Sequence, residues 1–159
     1  MKKQCFFENA ELLNQKFGII PLMYGSLGLE YITSENFNVD DIDILIPEAF
    51  VTERWEEFKS FLKSNGYILI DEGEHTFEKK GIAYSYASIE ELKSFAGIEL
   101  SDIEQRSNKG IKFMLLSLEQ YLKVYRASAK DGYRITVREK KDNHKIAFIE
   151  KRLKIKSLK

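Results

Sequence analysis

The sequence predicts an α/β (α+β) fold in which helices flank a mixed sheet. Short apolar segments with strand character are separated by segments whose apolar residues recur at helical spacing. Two segments, starting at Ser88 and Ser117, match the capping box that opens helices. Along the 159 residues these signals give the order αβ(α)βαβββαβαα. We therefore expect a single domain over residues 1–159, with a C-terminal helical part from about 117 to 159.

The first half of the chain is divided by residues that start or stop helices and strands. Asn9 is a candidate cap for a first helix that ends at Gly18. Pro47 ends a strand, and Asn65-Gly66 closes a helix that carries Val51, Trp55, Phe58 and Leu62. The other predicted elements are a helix over 9–17, a strand over 19–24, a short helix and then a loop within 27–40, and strands over 41–46 and 67–71.

The second half is predicted to continue with a hairpin and three helices. Strands over 75–78 and 82–87 flank the turn Lys80-Gly81, and the box at Ser88 opens the next helix. Residues 96–110 are predicted to be rich in loops, and 111–116 to form the last strand. A helix then starts at Ser117, a turn follows at 131–133, and a last helix begins at about 139 or 142.

Composition excludes several classes of protein. The chain is too short for a (β/α)8 barrel, which needs roughly 200 residues or more. It has one cysteine, Cys5, and two histidines, too few for a zinc site built from thiolates and imidazoles. Any bound metal must therefore be a hard ion held by carboxylates, such as Mg²⁺. The first residues do not form a signal peptide and no apolar run could span a membrane, so we expect a cytoplasmic protein without a membrane partner.

Charge is balanced overall but uneven along the chain. The sequence has 25 Lys or Arg and 25 Asp or Glu, and residues 130–159 hold 11 of the former and 4 of the latter. A net charge of zero argues against a nucleic-acid-binding surface, which is usually strongly basic. The basic tail is either a solvated helix face or part of a site that binds an anionic ligand.

The strongest chemical signal is an Asp-x-Asp strand that follows a Gly-Ser turn. Asp41 and Asp43 would project side by side, about 7 Å apart at the ~3.3 Å rise per residue of a strand. Such a pair repels unless a cation lies between its members, and Mg²⁺ would remove that repulsion. Gly25-Ser26 follows a predicted strand and precedes a predicted helix, where backbone can approach a phosphate closely. A polar surface strand and an ordinary turn are the alternatives.

In the order strand, Gly25-Ser26, spacer, Asp41-Ile42-Asp43, the chain resembles a minimal nucleotidyltransferase of the polymerase-beta-like superfamily. The segment from Leu116 to Leu122 and Lys141-Asp142 are similar to small lincosamide-type and antitoxin-type relatives. The resemblance implies a nucleotidyltransferase-like fold and a Mg²⁺-dependent enzyme that binds a nucleoside triphosphate. Such an enzyme transfers the nucleotidyl group to an acceptor, here unidentified.

The same resemblance implies roles for individual residues. Asp41 and Asp43 would be the catalytic and metal-binding carboxylates, and Gly25 and Ser26 would bind nucleotide phosphates. Lys141 would neutralise phosphate charge. Arg126 lies near the basic tail and is a further candidate for holding phosphates.

The family's third carboxylate is missing from the strand on which it should lie, residues 82–87. Glu74, Glu78 and Glu99 are candidate substitutes elsewhere in the chain. The missing acid leaves a second hypothesis open, in which the fold is a catalytically inactive binding module or an antitoxin-like module with a protein partner.

Overall fold

The contacts of this computed structural model, which describes residues 1–129 and 138–157, divide the chain into two compact units. The first unit comprises residues 1–90 and 104–115. The second comprises 91–103 and the chain from 116 onward, so the C-terminal helical part predicted from about 117 lies in it. No helix in the described ranges is both long and apolar enough to cross a bilayer.

The first unit holds three helices and all seven strands of one sheet. Its helices are α1 (Lys2–Phe17), α2 (Gly25–Thr33) and α3 (Trp55–Ser64), with a 3-10 helix at Glu48–Val51. Its strands are β1 (Leu22–Met23), β2 (Ile42–Ile46), β3 (Ile68–Asp71), β4 (Thr76–Lys79), β5 (Ile82–Ser88), β6 (Glu104–Asn108) and β7 (Ile111–Leu115).

The sheet has the strand order β3-β4-β5-β2-β1-β7-β6. Strand β2 runs parallel to β5 and antiparallel to β1, while β1 runs parallel to β7. The pairs β3–β4, β4–β5 and β6–β7 are antiparallel. The predicted α+β class, a mixed sheet with flanking helices, is therefore confirmed.

The core of the first unit lies between the helices and one face of the sheet. Aromatic rings carry much of the packing: Phe7 of α1 meets Phe113 of β7 edge-on at 5.1 Å, and Phe58 of α3 meets Tyr86 of β5 at 5.0 Å. Ile42 and Ile44 of β2 are fully buried beneath them. Burial of such large apolar side chains is the main favourable contribution to folding.

The first helix and first strand differ from the prediction. Helix α1 begins at Lys2 rather than Asn9, and Asn9 is fully buried inside it instead of capping its end. Gly18 does terminate α1, in the left-handed conformation. Strand β1 covers only residues 22–23 of the predicted 19–24, and Pro21 just before it has no N–H to donate to a neighbouring strand.

The capping box predicted at Ser88 is wrong, and the prediction for 96–110 missed one strand. Ser88 does not open a helix: it is the last residue of β5, it pairs with Ile46, and α4 begins only at Glu91. Residues 96–110 are rich in loops and turns, as predicted, but they also contain β6, which forms a hairpin with β7 and was not predicted. Strand β6 escaped the prediction because its five residues are all polar and give no apolar alternation.

The second unit contains α4 (Glu91–Ala96), a 3-10 helix at Leu100–Asp102, α5 (Leu118–Ala129) and α6 (Arg138–Ser157). The box at Ser117 is confirmed: Ser117 Oγ accepts from Gln120 N, and Gln120 Oε1 accepts from Ser117 N. Helices α5 and α6 meet through Arg126 and Glu150, 3.6 Å apart, and through Lys145 over the Tyr125 ring. The turn predicted at 131–133 lies outside the described residues.

Candidate functional site

Asp43 is the second residue of β2 and lies on the face opposite to the core. The alternation of the strand buries Ile42 and Ile44 completely and leaves Asp43 half-buried on the other side. The prediction that the isoleucines face the core is therefore confirmed. Partial removal of a carboxylate from water is unfavourable unless the carboxylate has a partner or a ligand.

Helix α2 begins beside that carboxylate. Tyr24 immediately precedes the helix in an extended conformation, and its N–H donates to Asp43 O at 3.0 Å. Gly25 and Ser26, both half-buried, are the first two residues of the helix. The sequence prediction that Gly25-Ser26 and Asp43 belong to one place in the fold agrees with this arrangement.

The approach of Asp43 accounts for a glycine at position 25. Its φ is +60°, and a Cβ added there would lie 2.6 Å from Asp43 Oδ2. The space that a side chain would occupy is thus taken by the carboxylate. The first turn of α2 and the Asp43 carboxylate are therefore packed against each other, and the assignment of Gly25 to a phosphate stays a prediction.

This contact also has a simple electrostatic basis. The N-terminus of a helix carries partial positive charge, so it favours a carboxylate. Tyr24 makes no side-chain hydrogen bond to cap α2, and Asp43 comes from a strand next to that end of the helix. Asp43 therefore contributes to the start of α2 as well as being a candidate ligand.

Asp41 is placed differently from Asp43. Strand β2 begins at Ile42, one residue later than predicted, and Asp41 lies on a bend before it with an exposed side chain. Strand alternation therefore does not set its direction, and the predicted 7 Å side-by-side geometry does not follow. Asp41 and Asp43 remain close in sequence at the same end of β2, one exposed and one half-buried.

The residue across from Asp43 on the neighbouring strand is Ser85. The register of β2 and β5 pairs Asp43 with Ser85, and that of β4 and β5 pairs Ser85 with Thr76. The hydroxyl groups of Ser85 and Thr76 are 2.8 Å apart. The strand predicted over 82–87 is therefore the neighbour of β2, as expected for the strand that would carry the third carboxylate. A hydroxyl, that of Ser85, occupies the place across from Asp43.

Sequence reasoning missed Ser85 and Thr76 as residues of this face. A usable signal was present, because period-two alternation in β5 puts Ser85 on the opposite face from Tyr84 and Tyr86. Those two tyrosines are buried on the core face, and burial raises the pKa of both phenols, so they are neutral at physiological pH.

None of the candidate substitutes for the third acid lies opposite Asp43. Glu78 lies on β4, two strands away from β2, where it pairs with Ala83 of β5. Its side chain is exposed. Glu74 lies in the turn before β4, and its N–H donates to Asp71 Oδ1. Glu99 belongs to the second unit and pairs with Lys93 at 3.3 Å. Within the described residues, no group of three His, Cys, Asp or Glu side chains is arranged to hold a metal.

The two predicted cationic ligands both belong to the second unit. Arg126 is exposed on α5, where it faces Glu150 and lines an open groove of about 670 Å³ together with Lys123 and residues 94–97. Lys141 lies on α6, and only its place along that helix is described. Their assignment to nucleotide phosphates stays a prediction.

The fold and the site together define an α+β protein in which Asp43 of the sheet meets the N-terminus of α2. The chain is 40% identical over 146 residues to the uncharacterized protein YnaI of Bacillus subtilis (strain 168), covering 92% of this chain and 94% of that protein. It belongs to the same family as that protein. No family model matches the sequence, and no solved structure matches it.

Proposed function

We propose that the chain is a Mg²⁺-dependent nucleotidyltransferase-like protein that binds a nucleoside triphosphate where α2 begins beside Asp43. The observation that supports the proposal is the 2.6 Å separation between Asp43 Oδ2 and the position of a Cβ on Gly25. It puts a metal-binding type of side chain next to a helix N-terminus, which favours phosphate. The proposal rests on the first unit alone.

The carboxylates present fit one magnesium ion. Mg²⁺ is usually held by one or two carboxylates together with substrate phosphates and water, rather than by an all-protein cage. Asp43 and Asp41 would be those carboxylates, and a bound ion would offset phosphate charge and polarise the reacting phosphate. Two metal ions would call for more carboxylates than Asp41 and Asp43 supply.

In the reaction the protein's own groups would mainly hold and orient. The first turn of α2 and the Ser26 hydroxyl would hold the triphosphate, and Asp43 would fix its metal-bound end. An acceptor hydroxyl would form a bond to the α-phosphorus while the bond to pyrophosphate breaks, and the proton of that hydroxyl would pass to water. Positioning and electrostatic stabilisation supply most of the rate in such transfers.

Titration calorimetry with ATP and the other triphosphates, with and without Mg²⁺, tests the proposal. We expect Mg²⁺-dependent binding by the wild-type chain and none by Asp43→Asn. The matched control is Glu78→Gln, which also removes one negative charge from the sheet but lies two strands away. Equal binding by Asp43→Asn and wild type would refute the site, as would loss of binding in the control alone.

A second candidate function is a binding module without transfer, as in an antitoxin-like protein with a protein partner. The specific observation in its favour is Ser85, because a hydroxyl held by Thr76 occupies the place across from Asp43. Such a protein would bind nucleotide and release no pyrophosphate.

Pyrophosphate release by the wild-type chain distinguishes the two candidates, and the Ser85→Asp variant tests what the missing carboxylate would add. Neighbouring strands are about 4.8 Å apart, so the new carboxylate would lie beside Asp43 and could share a metal with it. For a binding module we expect tighter Mg²⁺-dependent nucleotide binding and still no pyrophosphate release. If wild type already releases pyrophosphate from ATP with a pool of hydroxyl acceptors, the module candidate is wrong. Ser85→Asn is the uncharged control.

A further inference from the structure

A group of polar side chains is buried between α1 and the core face of the sheet, opposite to the face that carries Asp43. Asn9 of α1 is fully buried, and Tyr86 of β5 is 1% exposed. Tyr67, between α3 and β3, and Tyr84 of β5 are also buried, and their rings meet edge-on at 5.1 Å. An amide and phenols in an apolar core are unfavourable unless their polar atoms are hydrogen-bonded.

Three polar atoms of this group have no such bond. Neither Oδ1 nor Nδ2 of Asn9 has a hydrogen-bond partner among the residues that the structure describes, and the same holds for the Tyr86 hydroxyl. In native cores the large majority of buried polar atoms bond to protein or to an ordered water molecule. Three neighbouring exceptions therefore point to a partner that is not a side chain or backbone group of the described residues.

The unbonded groups nevertheless lie near one another. Burial raises the pKa of the Tyr67 and Tyr86 phenols, and the Asn9 amide beside them acts on both in the opposite direction. Asn9 thus faces both phenols without a direct hydrogen bond to either. Where polar groups face each other across a gap that is too wide for a direct bond, a water molecule is the usual bridge.

The chemistry of the group favours water over an ion. An amide is neutral, and the buried phenols stay protonated at physiological pH, so no charge is available to hold a cation or an anion. An amide and a phenol together offer donors and acceptors, as water does. A buried water needs two to four polar partners, and this group supplies that number.

We propose that Asn9, Tyr67 and Tyr86 form a buried water-binding site that links α1 to β5. Ordered water there bonds to both ends of the Asn9 amide and to the Tyr86 hydroxyl. Because a buried water makes about three hydrogen bonds, one or two molecules satisfy all three atoms. The site lies within the first unit and does not depend on the nucleotide proposal.

A crystal structure of the full chain, at a resolution that shows ordered water, tests the proposal directly. We expect a density peak about 2.7–3.2 Å from both Asn9 and Tyr86. The peak should be absent from Asn9→Leu, because leucine has a similar size and no polar atom. It should remain in Asn14→Leu, the matched control on α1, since the Asn14 amide already bonds to Ile19 O and Lys112 N. A direct bond from Asn9 to a tyrosine hydroxyl, with no density between them, would overturn the proposal.

Oxygen-17 magnetic relaxation dispersion, which counts long-lived internal waters, gives the same test in solution. We expect Asn9→Leu to lose about one such water relative to wild type, and Asn14→Leu to lose none. Tyr86→Phe removes only the hydroxyl and provides a second variant if Asn9→Leu does not fold, which far-UV circular dichroism shows. A count that is unchanged in a folded Asn9→Leu or in Tyr86→Phe would contradict the assignment.

Discussion

Strands β2 and β5 carry the hydrophobic core on one face and the candidate site on the other. On the core face, Ile42, Ile44, Tyr84 and Tyr86 are all buried and pack with rings from α1 and α3. On the other face, Asp43 and Ser85 are half-buried and lie across from each other. The same backbone ladder therefore carries both the core and the candidate site.

The difference shows how stability and function can be separated in this chain. The core face stabilises the fold through the apolar area that it buries. Many residues contribute to that area, and none of them has a specific chemical role. The site face depends on a few polar contacts, which add little to stability and whose loss changes chemistry. A substitution on the core face should thus lower stability strongly, and one on the site face should mainly alter ligand binding.

The largest expected effect is that of Ile44→Ala on the core face. Ile44 is fully buried, so its truncation leaves a cavity and should lower the free energy of unfolding by about 4 kcal/mol. Ser85→Ala, on the site face of the neighbouring strand, should lower it by about 1 kcal/mol or less. Urea unfolding followed by fluorescence of Trp55, the single tryptophan, reports on the first unit. Equal losses for the two variants would contradict the contrast between the faces.

Gly25→Ala should have the next largest effect, because it joins the site face to the start of α2. An alanine at φ +60° is strained by about 1–2 kcal/mol. Its Cβ would also displace the Asp43 carboxylate, which lies 2.6 Å from that position. We expect a total loss of about 2–3 kcal/mol, together with loss of Mg²⁺-dependent nucleotide binding.

Gly18→Ala is the matched control for that variant. Gly18 has φ +67°, yet a Cβ there would meet no atom of the described part of the chain within 4 Å. It should therefore show the strain of the backbone alone, about 1 kcal/mol, and leave nucleotide binding unchanged. If the two glycine variants lose the same stability in urea unfolding, the contact between Gly25 and Asp43 contributes nothing.

Local patterns predicted much of the fold because local physics fixes much of it. The alternation of β2, the glycine that ends α1 and the capping box at Ser117 all depend on residues within a few positions of each other. The order of Gly25-Ser26 and Asp43 likewise located the candidate site. Residue order alone could not show why position 25 is a glycine. That reason is tertiary, because β2 brings the Asp43 carboxylate to the place where a Cβ on residue 25 would lie.

Non-local pairing accounts for what sequence missed. Ser85 lies across from Asp43 because two strands far apart in the chain adopt one register, and no local pattern specifies that register. Strand β6 has no apolar face and is held by its hairpin partner β7. The box at Ser88 has the right residues, but pairing with Ile46 keeps Ser88 in the sheet, so tertiary structure overrides the local signal.

The smallest expected effect concerns Ser88, a polar residue at the end of the core face. Ser88 is 4% exposed, and its hydroxyl has no hydrogen-bond partner among the residues that the structure describes, so burying it is unfavourable. Ser88→Ala should raise the free energy of unfolding by up to about 1 kcal/mol, read from Trp55 fluorescence in urea.

Ser117→Ala, in the box that does cap a helix, should lower the free energy of unfolding by about 1 kcal/mol, read from the helical circular dichroism signal. Opposite signs for the same substitution would separate a serine that faces the core from one that caps α5. A loss of stability in Ser88→Ala would instead mean that its hydroxyl is satisfied in solution, and that the core face tolerates a polar group at its edge.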